Sequence, residues 1–417
     1  MDSRESKIIN KTPYTFLVLL AFLPLLNVNT LSILIFLFYF FAIVFRTKII
    51  KENFQKIGFK PLIINVLFYI PLIVSLTYTP VINKGLDVIV REISFLLMPL
   101  VLFYSLKTSK KLLKTLSFIF ILSNTLVVIY LSLKLNLFGV FLDNPSEFFN
   151  QRFYIDIVKE DYKDWHPTYI GLNNLVSTLI LLNYIFKTSK VKHKTFAIII
   201  VFVFLVFSLI LNSRVIFFIN LIILPLFVIL KLKKIKYKIV TVAIGFIALL
   251  LLFNISKTNR LGRIFIEPIN KDVESVSFKK LFGVRYAIQE CSLELISDKP
   301  ILGYGVGYEK VLLPIYCLEI KNFKNQYLNN NYSSHSVYLF LLFSAGILGL
   351  LPFLFLMSNN LVLSIKKRDL MYASILIIFT LVFLTENYFI RINGILLFSF
   401  LNSLYYQKNS KYIEKEK

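Results

Sequence analysis

Apolar residues along this chain come in blocks of roughly 15–22, nearly free of charge, with polar and basic stretches between them. That is the length a helix needs to cross the hydrocarbon core of a bilayer. The blocks fall at 14–28, 30–45, 61–79, 91–106, 115–136, 168–186, 195–211, 215–230, 239–253, 336–356, 370–386 and 393–406. The short alternating segments of a membrane β-barrel are not visible. The pattern predicts an all-α, polytopic transmembrane helical bundle of about 12 spans. Its longest polar interval, 254–335, lies between spans nine and ten. The expected organisation is spans one to nine over 1–253, one large loop over 254–335, and spans ten to twelve with a tail over 336–417, all in one integrated domain.

Composition agrees: 57% of the 417 residues are hydrophobic, and 42 are Phe. The formal net charge of +24 changes the picture only through its distribution. With the N-terminus inside, the inside segments hold 28 of the 47 Lys and Arg but only 6 of the 23 Asp and Glu. Such asymmetry is the positive-inside rule, so the basicity reports topology and not a nucleic-acid partner. Both termini are then cytoplasmic. No small-residue cleavage site follows the first apolar run, so no removable signal peptide is expected. The only cysteines, Cys291 and Cys317, both fall in the large outside loop, where a disulfide is permitted; spacing does not decide between a bond and two separate thiols.

Several polar groups stand at the outside ends of spans. Asp87 and Arg91 are spaced i, i+4, which suits a helical salt bridge, or else the wall of a charged pocket. Trp165, His166 and Tyr169 frame Pro167, which fits the first turn of a helix. Trp165 can serve as an interfacial anchor, and His166 and Tyr169 can touch a ligand. His193 lies in a basic inside loop and reads as solvated. Asn212-Ser213-Arg214 is a tight outside turn in which Ser213 can cap span eight. Arg214 then sits at the positive end of a helix, tolerable where an anion binds or where the side chain snorkels to headgroups. Glu386 and Arg391 flank Asn387-Tyr388 at a similar mouth.

Inside the large loop, Val284, Ala287, Ile288, Cys291 and Leu295 recur at steps of three and four. They make the apolar face of an amphipathic helix expected from about Ser277 to Ser297, with Arg285 beside that face. Next comes Leu302-Gly303-Tyr304-Gly305-Val306-Gly307. Gly303, Gly305 and Gly307 allow close backbone approach to a ligand, and equally suit a plain tight turn. The loop ends in Ser333-Ser334-His335, and Ser334 is the expected cap of span ten. His335 would stand in the positive potential of that helix end, as a neutral imidazole able to accept a proton.

Together these residues resemble the O-antigen ligase/O-antigen polymerase superfamily. The resemblance rests on the Ser-Arg turn at Ser213-Arg214, the Arg285 helix, the Pro-Ile-Leu-Gly-Tyr-Gly-Val-Gly segment, and His335-Ser336-x-x-Leu339 followed by Gly346-Ile-Leu-Gly349. The motif-bearing part covers about 212–350, and the remainder agrees in topology. The resemblance implies a metal-independent glycosyltransferase without cofactor, multi-pass in a bacterial inner membrane with its active face periplasmic. A ligase moves a glycan from undecaprenyl diphosphate to a sugar hydroxyl of lipid A–core; a polymerase joins lipid-linked repeats. The likeness implies that Arg214 and Arg285 hold the diphosphate, that His335 sits by the acceptor hydroxyl, and that Arg91 is a third basic contact.

Elementary chemistry fits this assignment. The leaving group is an anionic diphosphate, and guanidinium groups bind phosphate oxygens as a fork. No carboxylate pair of the glycosidase kind is evident. A lipid-linked-glycan transporter is the competing class. Transporters show paired halves and midplane charges, whereas here no repeat is visible and the ionisable residues gather at the outside mouths.

Overall fold

The computed structural model describes residues 3–143, 153, 166–211, 213–240, 284–317 and 333–410. The apolar blocks within these ranges fold as helices, and no strand occurs among the described residues. Among the described residues, four helices are long and apolar enough to cross a membrane: Lys110–Lys134, Val191–Ile210, Arg214–Lys231 and Val337–Lys366. The number rises to six if each of two bent pairs counts as one span. The expected span at 239–253 lies almost wholly outside the described residues.

Two expected spans are broken. Span three is Lys60–Val66 followed, after a 57° bend, by Tyr69–Val74 and a short 3-10 turn. Pro71 has no N–H to give the carbonyl of Leu67, which is where the helix parts. Span four, expected over 91–106, is the end of the helix Ile82–Glu92, then Ser94–Leu100, then a π-helical turn over Val101–Ser105, with Pro99 inside the second piece. The basic stretch between the apolar blocks 30–45 and 61–79 holds the helix Thr47–Ile57, bent 73° from Val28–Val44. It carries Lys48, Lys51 and Lys56 and buries no residue.

The chain folds as two compact units, one from 1–17, 32–109 and 277–417, the other from 18–31 and 110–276. The first has an aromatic core centred on Phe353, whose ring lies 5.3 Å from Phe68, 5.6 Å from Phe389 and 5.9 Å from Phe383. Rings at such separations add edge-to-face attraction to the area they bury. Beyond this core a fully buried amide cluster joins four helices. Asn360 Nδ2 donates to Asn65 Oδ1 (3.1 Å) and Asn402 Oδ1 (2.9 Å), Asn402 Nδ2 donates to Asn65 Oδ1 (2.9 Å), and the Tyr372 hydroxyl donates to Asn402 Oδ1 (2.8 Å). Buried amides must be paired, so this cluster fixes the register of the helices that bring it together.

The second unit packs Lys110–Lys134, Pro167–Ile185 and Val191–Ile210 around Val127, Val128, Leu131, Phe204 and Phe207, with Arg214–Lys231 against Pro167–Ile185. Asn124 Nδ2 donates to Asn174 Oδ1 at 2.7 Å in its interior. Gly171 is where two helices approach closely: a Cβ there would stand 3.0 Å from the Ile216 side chain. That contact puts the N-terminal ends of Pro167–Ile185 and Arg214–Lys231 side by side.

Candidate functional site

The loop helix is described over Val284–Asp298; the expected start at 277–283 lies outside the described residues. Its periodic face is buried as predicted at Ile288, Cys291 and Leu295, against Leu313, Cys317 and Phe343. The side chains of Val284 and Ala287 lie outside the described residues. Cys291 and Cys317 form a disulfide, with Cα atoms 5.8 Å apart.

The glycine segment has a use that the sequence left open. The helix Val337–Lys366 is interrupted at Gly346, which adopts φ +61°. The interruption frees backbone groups, and the segment 300–305 takes them up. Tyr304 N–H donates to Phe343 O (2.7 Å), Gly305 N–H to Ser344 O (3.1 Å), and Ile347 N–H to Pro300 O (2.9 Å). A Cβ on Gly303 would lie 2.5 Å from Phe343 O, and one on Gly305 2.6 Å from Thr79 Cα. These glycines therefore admit protein backbone. Gly307 packs on Gly85 and also lines a cavity of about 140 Å³. The Gly303–Gly307 and Gly346 motifs, distant in sequence, form one joint.

That joint steadies the start of Val337–Lys366, where one expectation is corrected. The cap is Ser336, whose side chain accepts from Leu339 N–H; it is not Ser334. Ser334 is held elsewhere: its N–H donates to Glu309 Oε1 at 2.7 Å. His335 is thus outside the helix, in the left-handed region at φ +51°. It therefore does not stand in the first turn of that helix. What faces its ring is Glu386, with Nδ1 3.8 Å from Glu386 Oε2.

Glu386 also holds Arg285. Arg285 Nη2 lies 2.5 Å from Glu386 Oε1, and Nη1 donates to Thr385 O at 3.3 Å. The carboxylate side chain is nearly buried, while that of Arg285 is 42% exposed. The structure therefore brings Arg285 and His335 onto the two oxygens of one carboxylate. Two bonds keep this register: Ser336 Oγ donates to Phe383 O, and the Tyr338 hydroxyl to Thr380 O, both at 3.1 Å.

Arg91 lies beside this group. It makes no ion pair with Asp87; its Nη1 donates to Ile390 O at 2.7 Å. Both residues do line the 140 Å³ cavity, together with Lys84, Glu309 and Lys310, so the pocket-wall alternative describes them. Burial, together with the charges of Arg91 and Arg391, pulls the Lys310 ammonium below its ordinary pKa. Burial pushes the Glu309 carboxyl up, against the hydrogen bonds from Ser334 and the charge of Lys310. Among the described residues no group of three His, Cys, Asp or Glu side chains is placed to hold a metal ion.

Arg214, His166 and Tyr169 belong to the second unit. Arg214 is the first residue of its helix and half-buried; Ser213 occupies the cap position without a side-chain hydrogen bond. His166 caps Pro167–Ile185 by accepting from Thr168 N–H at 3.4 Å, and its ring meets that of Tyr169 edge-on at 6.0 Å. Because Gly171 packs on Ile216, all three residues lie at one end of that unit. Trp165 and Asn212 lie outside the described residues. His193 is exposed and hydrogen-bonds the Tyr184 hydroxyl at 2.9 Å.

Residues 196–354 match the family model described as O-antigen ligase. Over this segment the chain is similar to that family. The segment spans Arg214, Arg285, the Gly303–Gly307 joint and His335, and leaves Arg91, His166, Tyr169 and Glu386 outside. No curated protein matches the chain. The similarity is to a family of multi-pass membrane proteins whose description is O-antigen ligase, and it is confined to this segment. Glu309 and Lys310 stand in no motif or spacing that marks them in the sequence, and Glu386 has no role assigned by it. The one available signal for Glu386 was a carboxylate immediately after an apolar run.

Proposed function

We propose that this protein transfers a glycan from an undecaprenyl diphosphate carrier to a sugar hydroxyl of lipid A–core. The reaction is placed at the periplasmic face of a bacterial inner membrane. The observation that supports it most is the Arg285–Glu386–His335 arrangement within reach of the family-matched loop. In the reaction the acceptor oxygen attacks the anomeric carbon, the bond from that carbon to the diphosphate oxygen breaks, and the diphosphate departs with the electron pair. The acceptor proton passes to His335. Glu386 faces Nδ1, which leaves Nε2 to take the proton and places a negative charge beside the imidazolium as it forms. The exposed part of the Arg285 fork binds diphosphate oxygens, where negative charge accumulates. Arg214 takes the same task by its Ser-Arg motif within the matched segment. Arg91, with Lys310, adds positive potential beside His335. His166 and Tyr169 are assigned to substrate contact, and of the three loop glycines Gly307 is the one that faces a cavity.

The same chemistry with a second lipid-linked glycan as acceptor would make the protein a polymerase. Purified protein in proteoliposomes, given lipid-linked donor and either acceptor without metal or nucleotide, separates the readings. Product on lipid A–core supports the ligase, and lengthened lipid-linked glycan the polymerase. Movement of the lipid across the bilayer with no new glycosidic bond would reject both in favour of a transporter.

A further inference from the structure

We infer that the first unit carries a second anion site, remote from His335, that holds a phosphate group. The helix Ile392–Asn409 begins beside Glu386 and Arg391 and runs 18 residues, or about 27 Å. At its far end Gln407 and Ser410 line a cavity of about 1450 Å³. Arg46, Lys56, Lys60, Lys107, Lys366 and Lys367 also line it, and Glu52 is the one carboxylate among its lining residues.

Arg46 is the observation that points to a ligand. Its side chain is 9% exposed, and its Nε and Nη1 are buried without a hydrogen-bond partner. The guanidinium is covered by the Tyr14 ring, 5.4 Å from the centroid. A ring face offers cation–π attraction but no acceptor for N–H groups. Burying a guanidinium with its donors unsatisfied is costly. An oxyanion from outside the chain answers that demand by accepting from the Arg46 fork, in a cavity where Lys60 and Lys366 add positive potential. A phosphate fits best, because its oxygens match that fork and its charge exceeds that of a carboxylate.

The position indicates where the phosphate comes from. Arg46 sits at the 73° bend between Val28–Val44 and Thr47–Ile57. A basic helix turned away from an apolar one, with its lysines outward, suits the headgroup layer of a bilayer. There the phosphates belong to anionic phospholipids, which basic segments attract. Free phosphate would present the same oxygens, so the source is settled by experiment.

Full-length protein is reconstituted in nanodiscs of phosphatidylcholine with and without phosphatidylglycerol. Lipid retained on release is read by native mass spectrometry, and inorganic phosphate binding is measured in the phosphatidylcholine discs. Retained phosphatidylglycerol, weakened about tenfold or more by Arg46→Gln and only partly by Arg46→Lys, supports a lipid phosphate. Arg46-dependent binding of inorganic phosphate, with no preference for phosphatidylglycerol, supports the site with a soluble source. Lys60→Gln/Lys366→Gln alters only exposed side chains, so it remains informative if Arg46→Gln does not fold; it is expected to weaken binding severalfold. Wild-type protein that retains neither ligand, or Arg46→Gln or the double lysine variant binding as wild type does, overturns the inference.

Discussion

Glu386→Gln isolates what the shared carboxylate contributes, because Gln keeps the shape and removes the charge. At 3.8 Å, a carboxylate and a full imidazolium attract by about 4 kcal/mol at an effective dielectric of 20. Only part of the proton is transferred at the transition state, and Arg285 already offsets some of the carboxylate charge. Half of the full figure, about 2 kcal/mol, corresponds to a loss of roughly 30-fold in kcat. The loss belongs in kcat and not in KM, since an interaction that strengthens only as the proton moves acts on the transition state. Steady-state transfer in proteoliposomes, with donor and acceptor varied separately, measures the split. His335→Ala sets the floor, because removing a general base typically costs ~10²–10⁴-fold. If Glu386 acts through His335, adding Glu386→Gln to His335→Ala costs little more. Independent, multiplying losses in the double variant, or an unchanged kcat in Glu386→Gln, would refute the coupling.

Arg214→Lys and Arg285→Lys should each impair transfer while the protein stays inserted and folded, because Lys lacks the bidentate fork; undiminished activity in the double variant would remove the diphosphate clamp. Breaking the Cys291–Cys317 bond, with a separation of 26 residues, should cost about 3.5 kcal/mol by loop entropy, read as a drop in thermal midpoint on reduction or in Cys317→Ser. Gly346→Ala should destabilise by ~2 kcal/mol or more, because a Cβ there falls 2.1 Å from Ile301 O at φ +61°; Gly58→Ala, with φ +75° and nothing within 4 Å, should pay only the left-handed strain. Burial alone would raise the Asp369 carboxyl, but the Lys408 ammonium and hydrogen bonds from Lys408, Asn409 and Tyr372 hold it below its ordinary value. A depressed carboxyl stabilises above its unfolded pKa and loses that contribution as pH falls through the folded value. Asp369→Asn should therefore melt earlier than wild type at pH 7, with the gap closing in acid.

Helix positions were legible because hydrophobic block length and the three-four spacing are local properties. The face holding Ile288, Cys291 and Leu295 is buried where its period put it. Breaks were less legible. Pro71 and Pro99 announce a missing donor, but whether a proline bends a span or merely sits in it depends on what takes up the freed carbonyls. At Gly346 the receiving groups, Tyr304 and Gly305, lie some forty residues upstream, so no window around Gly346 could contain the reason for its conformation. The Ser334 expectation failed for a related cause. Three serines, Ser333, Ser334 and Ser336, all have capping chemistry, and the choice fell to the buried Glu309 carboxylate, which engages the Ser334 N–H.

That choice bears on the chemistry at His335. A non-glycine residue in the left-handed region costs about 1–2 kcal/mol and persists only where its surroundings over-determine it. On one side Glu309 fixes Ser334, and on the other Ser336 is tied both to Leu339 and to Phe383. The strained residue between them has its ring aimed at the carboxylate that follows Phe383 by three positions. Had the helix begun at Ser334, His335 would be its first residue, and its ring direction would follow the helix surface and not the loop. The strain thus separates the imidazole from the helix and gives it to Glu386, which in turn fixes Arg285. A base beside the acceptor and a cation beside the departing diphosphate must keep a fixed separation for in-line displacement. One buried carboxylate that touches both is a direct way for a membrane helix end to set it.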